Sequence, residues 1–187
     1  MMATTARLLT YDDYAAMPDD GKRYELIGGE LFEMPSPSAK HQELVIRLLI
    51  ALRSFVGAGK LGRVLVAPFD SRLSSVDVLQ PDVLYVTKAR NTDIGPNYLE
   101  GGPDLAVEVL SPSTQVYDLG VKMRLYAEAN VQELWIGDVD TPELSVLRLE
   151  NGSYVPIPPI AGIIESVVLP GLRLDVNVLL ADLDQMG

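Results

Sequence analysis

The most regular pattern of apolar and polar positions in this chain lies between residues 41 and 56. Its apolar residues share the three- and four-residue spacing of a single helix face: Leu44, Leu48, Ala51, Leu52 and Phe55. Gly57 and Gly59 follow directly, where glycine is typical of a helix end. The pattern therefore predicts a long helix that buries one side in the core.

Three further stretches predict shorter helices. Thr10 precedes Asp12 and Asp13, a pattern typical of an N-cap followed by a first turn that favours negative charge. A second helix is predicted over residues 118–129, and a last one over residues 177–183.

Short apolar runs bounded by turn residues predict strands along most of the chain. They cover residues 23–27, 30–34, 63–66, 69–73, 83–86, 104–110, 133–139 and 144–149. Residues 104–110 are nearly continuously apolar, as expected for a central strand covered on both faces, and residues 111–114 end it. Residues 88–103, rich in Gly, Asn and Pro, are predicted to form a loop.

Strands that alternate with helices in this way predict an α/β fold of the α+β type. We expect a central mixed β-sheet flanked by helices, with an N-terminal hairpin over residues 23–34 and C-terminal β-hairpins. The length of 187 residues fits one domain, so residues 1–187 are expected to fold as a single unit.

The composition excludes several classes of protein. Hydrophobic residues make up 48% of the chain and charged residues 22%, which is typical of a globular protein. The most apolar window, residues 44–56, contains Arg47 and Arg53, so no membrane span is predicted. Residues 1–9 lack the apolar core of a signal peptide, and cysteine is absent. We therefore expect a cytoplasmic protein without membrane contact.

The formal net charge of -11 argues against non-specific binding of nucleic acid. Proteins that grip phosphates usually present a basic field, whereas this chain would repel DNA as a whole. Basic residues do cluster between residues 40 and 72, and bound divalent cations would offset part of the charge. Any contact with DNA is therefore expected to be local.

Two apolar strands each carry one carboxylate. Asp82 stands at the entrance of the strand over residues 83–86, and Glu108 lies inside the strand over residues 104–110. If the strands are neighbours, both side chains reach one ion, and such hard oxygen ligands favour Mg²⁺ or Mn²⁺ over Zn²⁺. The alternatives are a turn role for Asp82 after Pro81 and a structural ion pair for Glu108.

Lys122 lies on the predicted helix that follows the second acid. One interpretation is an exposed ion pair with Asp118, four positions earlier, which contributes little. In the other, the ammonium points back at a metal site, positions the attacking water and stabilises charge at the phosphorus.

The roles of four other titratable residues also have alternative interpretations. Glu43 either adds a third or outer carboxylate to the site or places favourable charge in the first turn of the long helix. His41, the sole histidine, is expected to have a capping or surface role rather than a catalytic one. Glu25 and Glu30 either face the same cavity or alternate toward solvent.

Short motifs distributed over nearly the whole chain form a specific combination. They are Tyr24-Glu25-Leu26-Ile27, Gly29-Glu30-Leu31, Pro35-Ser36-Pro37, His41-Gln42, Gln80-Pro81-Asp82-Val83, Pro103-Asp104-Leu105, Glu108-Val109-Leu110-Ser111-Pro112-Ser113, Lys122 with Tyr126, and Glu133-Leu134-Trp135-Ile136. The combination resembles the Uma-type restriction endonucleases, a family of the PD-(D/E)XK nuclease superfamily.

This resemblance implies a restriction-endonuclease-like core and assigns roles to individual residues. Asp82 would match the aspartate of the family's motif and Glu108 its second acid, and both would bind metal. The usual lysine two residues after the second acid is replaced by Leu110, which implies that Lys122 takes its place.

Three details of the resemblance concern the surroundings of the motif. Glu43 would match a helix acid seen in many members, and the peptide carbonyl of Val109 would be an additional metal ligand. Gly28 stands where the family often has an aspartate, so the first hairpin departs from the pattern.

The sequence therefore predicts a Mg²⁺- or Mn²⁺-dependent endonuclease that hydrolyses phosphodiester bonds, with DNA as its substrate by analogy. A non-catalytic binding or regulatory module on the same scaffold is the alternative, which the acidic charge favours. A glycosidase fits less well, because the chain has one Trp and three Phe to line a sugar cleft. We expect a homodimer, because cutting both strands of a duplex needs two sites.

Overall fold

The computed structural model describes residues 7–110 and 118–186 of the chain. Its strands are β1 Arg23–Ile27, β2 Glu30–Met34, β3 Gly62–Val66, β4 Asp70–Arg72, β5 Val78–Leu79, β6 Val83–Thr87, β7 Tyr98–Glu100, β8 Leu105–Val109, β9 Glu133–Asp138, β10 Glu143–Glu150, β11 Ser153–Pro156, β12 Ile163–Glu165 and β13 Arg173–Asp175. The described α-helices are α1 Tyr11–Ala15, α2 Ala39–Gly59, α3 Met123–Glu128 and α4 Val176–Leu180. A π-helical turn, Asp118–Lys122, leads into α3.

The central sheet has the strand order β11-β10-β9-β8-β6-β3. Strand β8 runs parallel to β9 and antiparallel to β6, so the sheet is mixed, as predicted. All residues of β8 are buried, which agrees with its apolar sequence and its place inside the sheet. The C-terminal hairpins are also present, since β10 pairs with both β9 and β11, and β12 with β13.

Helices cover both faces of this sheet. The buried stripe of α2 packs against one face, where Val107 of β8 and Trp135 of β9 join the same core cluster. On the other face, Tyr126 of α3 packs with Ala106 of β8. Because side chains alternate along a strand, Glu108 shares the face of Ala106 and points toward α3.

A second sheet, in the order β2-β1-β5-β4-β7, holds the N-terminal hairpin. The hairpin β1–β2 forms at the predicted positions, around Gly28 and Gly29. Strand β1 pairs with β5 through Leu26 and Val78. Since β5 ends at Leu79, this pairing places β1 beside the segment that leads through Gln80 to Asp82.

The prediction of one uninterrupted loop over residues 88–103 was wrong. Lys88–Asp93 forms a 3₁₀-helix that the Thr87 side chain caps, and β7 follows it. Strand β7 runs parallel to β4, a non-local pairing that neighbouring residues cannot signal.

The ends of other predicted helices shifted. Helix α2 begins at Ala39 after the N-cap Ser38 and continues to Gly59. The last helix is split into α4 and a 3₁₀ turn, Leu183–Gln185, because Asp182 adopts a left-handed backbone conformation. The predicted strand end over residues 111–114 lies outside the described residues. No described helix is long and apolar enough to cross a bilayer.

Candidate active site

Three charged side chains meet in the interior between the two sheets and α3. Lys122 Nζ lies 3.0 Å from Glu25 Oε1 and 3.1 Å from Glu108 Oε2. Relative exposures are 2% for Lys122, 1% for Glu25 and 5% for Glu108. Each buried charge therefore meets an opposite one, which such burial requires.

The expectation of an exposed Lys122 is wrong, because its side chain is buried between two carboxylates. The side chain of Asp118 lies outside what the structure describes. Lys122 closes the π-helical turn, and Tyr126 follows four residues later in α3. This spacing places both side chains toward Glu108.

Glu108 receives a hydrogen bond on each carboxylate oxygen. The Tyr126 hydroxyl donates to Oε1 at 2.5 Å, and the Lys122 ammonium donates to Oε2 at 3.1 Å. Two donors on one buried carboxylate stabilise its ionised form and fix its rotamer. Tyr126 was recognised only as part of a family motif, and the hydrogen bond gives it a place in the site.

Glu25 joins this site from the first hairpin. Its Oε1 accepts the backbone N–H of Gln80 at 2.8 Å in addition to the Lys122 ammonium. Of the two interpretations left open by the sequence, the structure supports the buried one for Glu25, whereas Glu30 is exposed. The alternation of side chains along this short hairpin does not reveal, from sequence alone, that the rest of the fold covers the face that carries Glu25.

Asp82 lies next to Glu108, although the two residues are distant in sequence. The antiparallel register pairs Val83 with Val107, so Asp82 and Glu108 occupy the adjoining positions at one end of both strands. Asp82 Oδ2 accepts the backbone N–H of Val109 at 2.8 Å. The two strand acids are therefore neighbours in the sheet, and both line one pocket.

His41 is buried at the start of α2, contrary to the expected surface role. Its Nε2 lies 3.3 Å from Asp82 Oδ2, and the residue is 9% exposed. The backbone N–H of His41 donates to the N-cap Ser38 hydroxyl at 3.2 Å, which fixes the first turn. Within the described chain, Nδ1 of His41 is buried and has no hydrogen-bond partner.

A small pocket opens onto these residues. Among the described residues its lining consists of Arg23, Met34, Pro35, Ser36, Pro37, His41, Gln80, Asp82, Glu108 and Val109. The carboxylates of two strands thus face a space that the β2–α2 connection partly covers.

Glu43 occupies a different place from the other predicted site residues. Its Oε1 accepts a hydrogen bond from Arg47 Nε at 2.8 Å, one helical turn further along α2. Arg47 in turn donates to the backbone oxygens of Leu179 and Ala181. The described contacts of Glu43 therefore tie α2 to α4 and do not reach the pocket.

The donor set of the pocket fits a hard divalent cation. Asp82 and Glu108 supply carboxylate oxygens, and Val109 lines the same space. The site holds three carboxyl groups, those of Glu25, Asp82 and Glu108, against the one ammonium of Lys122, which favours a bound cation. In the described part of the chain, no three side chains of His, Asp or Glu form a ready ligand cluster. Mg²⁺, which keeps several waters and needs one or two carboxylates, suits this set.

Comparison with known proteins gives three results. The model of the Uma2 family, described as "Putative restriction endonuclease", matches residues 11–177. The "Uncharacterized protein slr1290" of Synechocystis sp. is 30% identical over 109 residues, which cover 57% of this chain and 55% of the relative. This match thus spans about half of the relative's length.

The third result concerns the fold. A crystal structure described as "a putative nuclease belonging to DUF820 from Anabaena variabilis" superposes with a TM-score of 0.80 at 19% identity. The superposition covers 94% of this chain and 99% of that chain. The predicted mixed α/β fold of the nuclease type is confirmed.

Proposed function

This chain belongs to the Uma2 family of restriction-endonuclease type, and on that premise we propose that it is a Mg²⁺- or Mn²⁺-dependent endonuclease that hydrolyses phosphodiester bonds in DNA. The family resemblance inferred from the motifs is confirmed, and it supports a nuclease function. The metal, the substrate and the residue roles are the proposal.

One observation carries the proposal: Asp82 and Glu108 line one pocket, and Lys122 contacts Glu108 from a third element. The two acids lie at the same end of β6 and β8, and Lys122 contacts Glu108 directly. A merely structural ion pair would not require the second acid, Asp82, beside the pocket. This arrangement is what hydrolysis with a bound cation needs.

We assign the cation to Asp82 and Glu108, with the peptide carbonyl of Val109 as a further ligand. A bound Mg²⁺ or Mn²⁺ would polarise the scissile phosphate and lower the pKa of a bound water. The hydrogen bonds from the Val109 N–H and the Tyr126 hydroxyl hold the two carboxylates in place for this task.

Lys122 acts on the attacking water and on the phosphate. Its ammonium donates to Glu108 and lies against Glu25, so its position is fixed from two sides. From there it orients the water whose oxygen bonds to phosphorus as the bond to the leaving oxygen breaks. Its positive charge also stabilises the extra negative charge on the phosphate oxygens in the transition state.

Calorimetric titration of Mg²⁺ and Mn²⁺ into wild type and Asp82→Asn tests the metal site. Asparagine keeps the shape and an acceptor for the Val109 N–H, so loss of binding reports the missing charge. Glu128→Gln, which removes an exposed acid paired with Arg124, is the matched control and is expected to bind like wild type.

Cleavage of supercoiled plasmid DNA by the same proteins tests the activity. We expect wild type and Glu128→Gln to cut only with the divalent cation, and Asp82→Asn to lose at least about a hundredfold in rate. Lys122→Met is expected to keep some metal binding but lose cleavage. If wild type neither binds the divalent cation nor cleaves DNA, the result would instead favour the non-catalytic module, which the net charge of -11 also favours.

A further inference from the structure

Arg23 lies at the candidate active site without an acidic partner. It is the one arginine or lysine among the described residues that line the pocket. No carboxylate of the described chain pairs with its guanidinium, although Asp82 and Glu108 line the same space. The arginines at positions 7, 47, 72, 90, 124, 148 and 173 each pair with an acid. Arg53 and Arg63 have no such pair in the described chain, but they lie outside the pocket lining.

The guanidinium of Arg23 is held by a neutral group. Its Nε donates to Gln80 Oε1 at 3.2 Å, and this bond leaves both terminal nitrogens of the fork for another acceptor. A neutral acceptor fixes the side chain without neutralising its charge. Arginine in such a setting is suited to binding phosphate, because its planar fork matches two phosphate oxygens.

The orientation of Gln80 is itself fixed by a network. Its Nε2 donates to Asp70 Oδ1 at 2.8 Å and to the Tyr14 hydroxyl at 3.2 Å, so its carbonyl oxygen must face Arg23. Burial raises the pKa of Asp70, and the hydrogen bonds from Gln80 and Tyr14 oppose that rise. The network therefore fixes the direction of the Gln80 amide.

The same residue connects Arg23 to the charged cluster. The backbone N–H of Gln80 donates to Glu25, which contacts Lys122. Arg23 and Glu25 are two positions apart in β1 and so lie on one face of the strand. Arg23 is thus held in a defined position relative to Lys122 and Glu108.

Charge explains why such a residue is needed. The chain carries a net charge of -11, so its overall field repels a polyanion. The pocket itself adds the two carboxylates of Asp82 and Glu108. A fixed guanidinium at the rim gives a DNA phosphate one local partner of opposite charge.

We propose that Arg23 binds a backbone phosphate of the DNA next to the scissile bond and thereby positions the strand over Asp82 and Glu108. This inference rests on the proposed nuclease function and adds a substrate-binding residue to it. Arg23 is a positioning residue, since Lys122 and the acids serve the reacting atoms.

Binding of a fluorescent duplex DNA, measured by anisotropy between 25 and about 200 mM salt in the presence of EDTA, tests this role directly. Arg23→Gln is expected to weaken binding about tenfold at low salt. It should also reduce the slope of log affinity against log salt by about 0.9, the value for one phosphate contact. Arg23→Lys keeps a point charge and should restore most of the slope but not the full affinity.

Two controls separate the role of Arg23 from loss of charge and from misfolding. Arg53→Gln removes one exposed positive charge from α2, outside the pocket lining, and should change the slope much less than Arg23→Gln. Calorimetric Mg²⁺ binding by Arg23→Gln should equal that of wild type, which shows an intact metal site.

The outcomes distinguish this inference from the proposed function. Wild-type DNA binding with a reduced slope in Arg23→Gln supports the inference even if no DNA is cut, in which case only the catalytic proposal fails. An Arg23→Gln protein that binds DNA with the wild-type affinity and slope overturns the inference, while plasmid cleavage still upholds the nuclease. Wild type that binds no DNA in this assay and cuts no plasmid with the divalent cation overturns both.

Discussion

Among the side chains of the site, Lys122 is expected to have a large effect on stability, because two buried carboxylates lie against its ammonium. We expect Lys122→Met to lower the free energy of unfolding by about 3–5 kcal/mol at neutral pH, since Glu25 and Glu108 would lose the ammonium between them. Urea unfolding in the presence of EDTA measures this loss of stability, because EDTA removes any stabilisation by a bound cation.

A second variant shows whether charge is the cause. Glu25→Gln in the Lys122→Met background removes one of the two buried charges, so the double variant should be more stable than Lys122→Met alone. Arg124→Met, which breaks an exposed pair with Glu128, is expected to cost less than about 1 kcal/mol. A Lys122→Met protein as stable as Arg124→Met would contradict the buried charge balance.

These side chains also show how far sequence reasoning reaches. Asp82 and Glu108 were predictable because an acid in or beside an apolar strand needs a partner, and their strands are consecutive in the predicted order. Glu25 was left undecided, because its burial depends on the pairing of β1 with β5, which itself comprises two residues. The partner of Lys122 is thus set by a long-range contact that no local pattern contains.

For the helices and strands, the end of α2 offers a test of local backbone strain. Lys60 caps the helix in the left-handed conformation, with φ 51° and ψ 40°, which costs energy for a residue with a Cβ atom. We expect Lys60→Gly to be more stable than Lys60→Ala by about 1 kcal/mol, because glycine adopts this conformation without strain.

The alanine variant is the matched control in this comparison. Both substitutions remove the same exposed charge at the C-terminal end of the helix, so their difference isolates the backbone effect. Thermal and urea unfolding should give the same order. Equal stabilities, or a more stable alanine variant, would mean that residue 60 leaves the left-handed region in solution.

The same helix shows what local pattern determines and what it does not. Its apolar stripe predicted the helix and its buried face correctly, because 3.6-residue periodicity is a local property. Its end was expected at Gly57 and Gly59, yet the helix continues through Gly59 and Lys60 takes the capping conformation. Strand β7 was missed for a related reason, since its three residues form a strand only through pairing with β4.

For the molecule as a whole, the net charge of -11 would repel the proposed DNA substrate. In the proposal, a bound cation and Arg23 offset this repulsion at the site. The two acids that line the pocket, Asp82 and Glu108, are the ones proposed to bind the cation. Arg23 is the one arginine or lysine among the described residues lining the pocket. Affinity for DNA should therefore depend on a few contacts and fall steeply as salt is raised.

A homodimer remains the expected assembly, and the composition of the site makes it testable. Glu25, Asp82, Glu108 and Lys122 all come from one chain, so a monomer carries every residue of the proposed site. Cutting both strands in one encounter needs a second copy related by two-fold symmetry.

We expect sedimentation to show twice the mass of the chain at micromolar concentration, and supercoiled plasmid to become linear with little nicked intermediate. On dilution below the dissociation constant, nicked circles should accumulate instead. A protein that sediments as a monomer and still makes linear DNA directly would contradict this expectation.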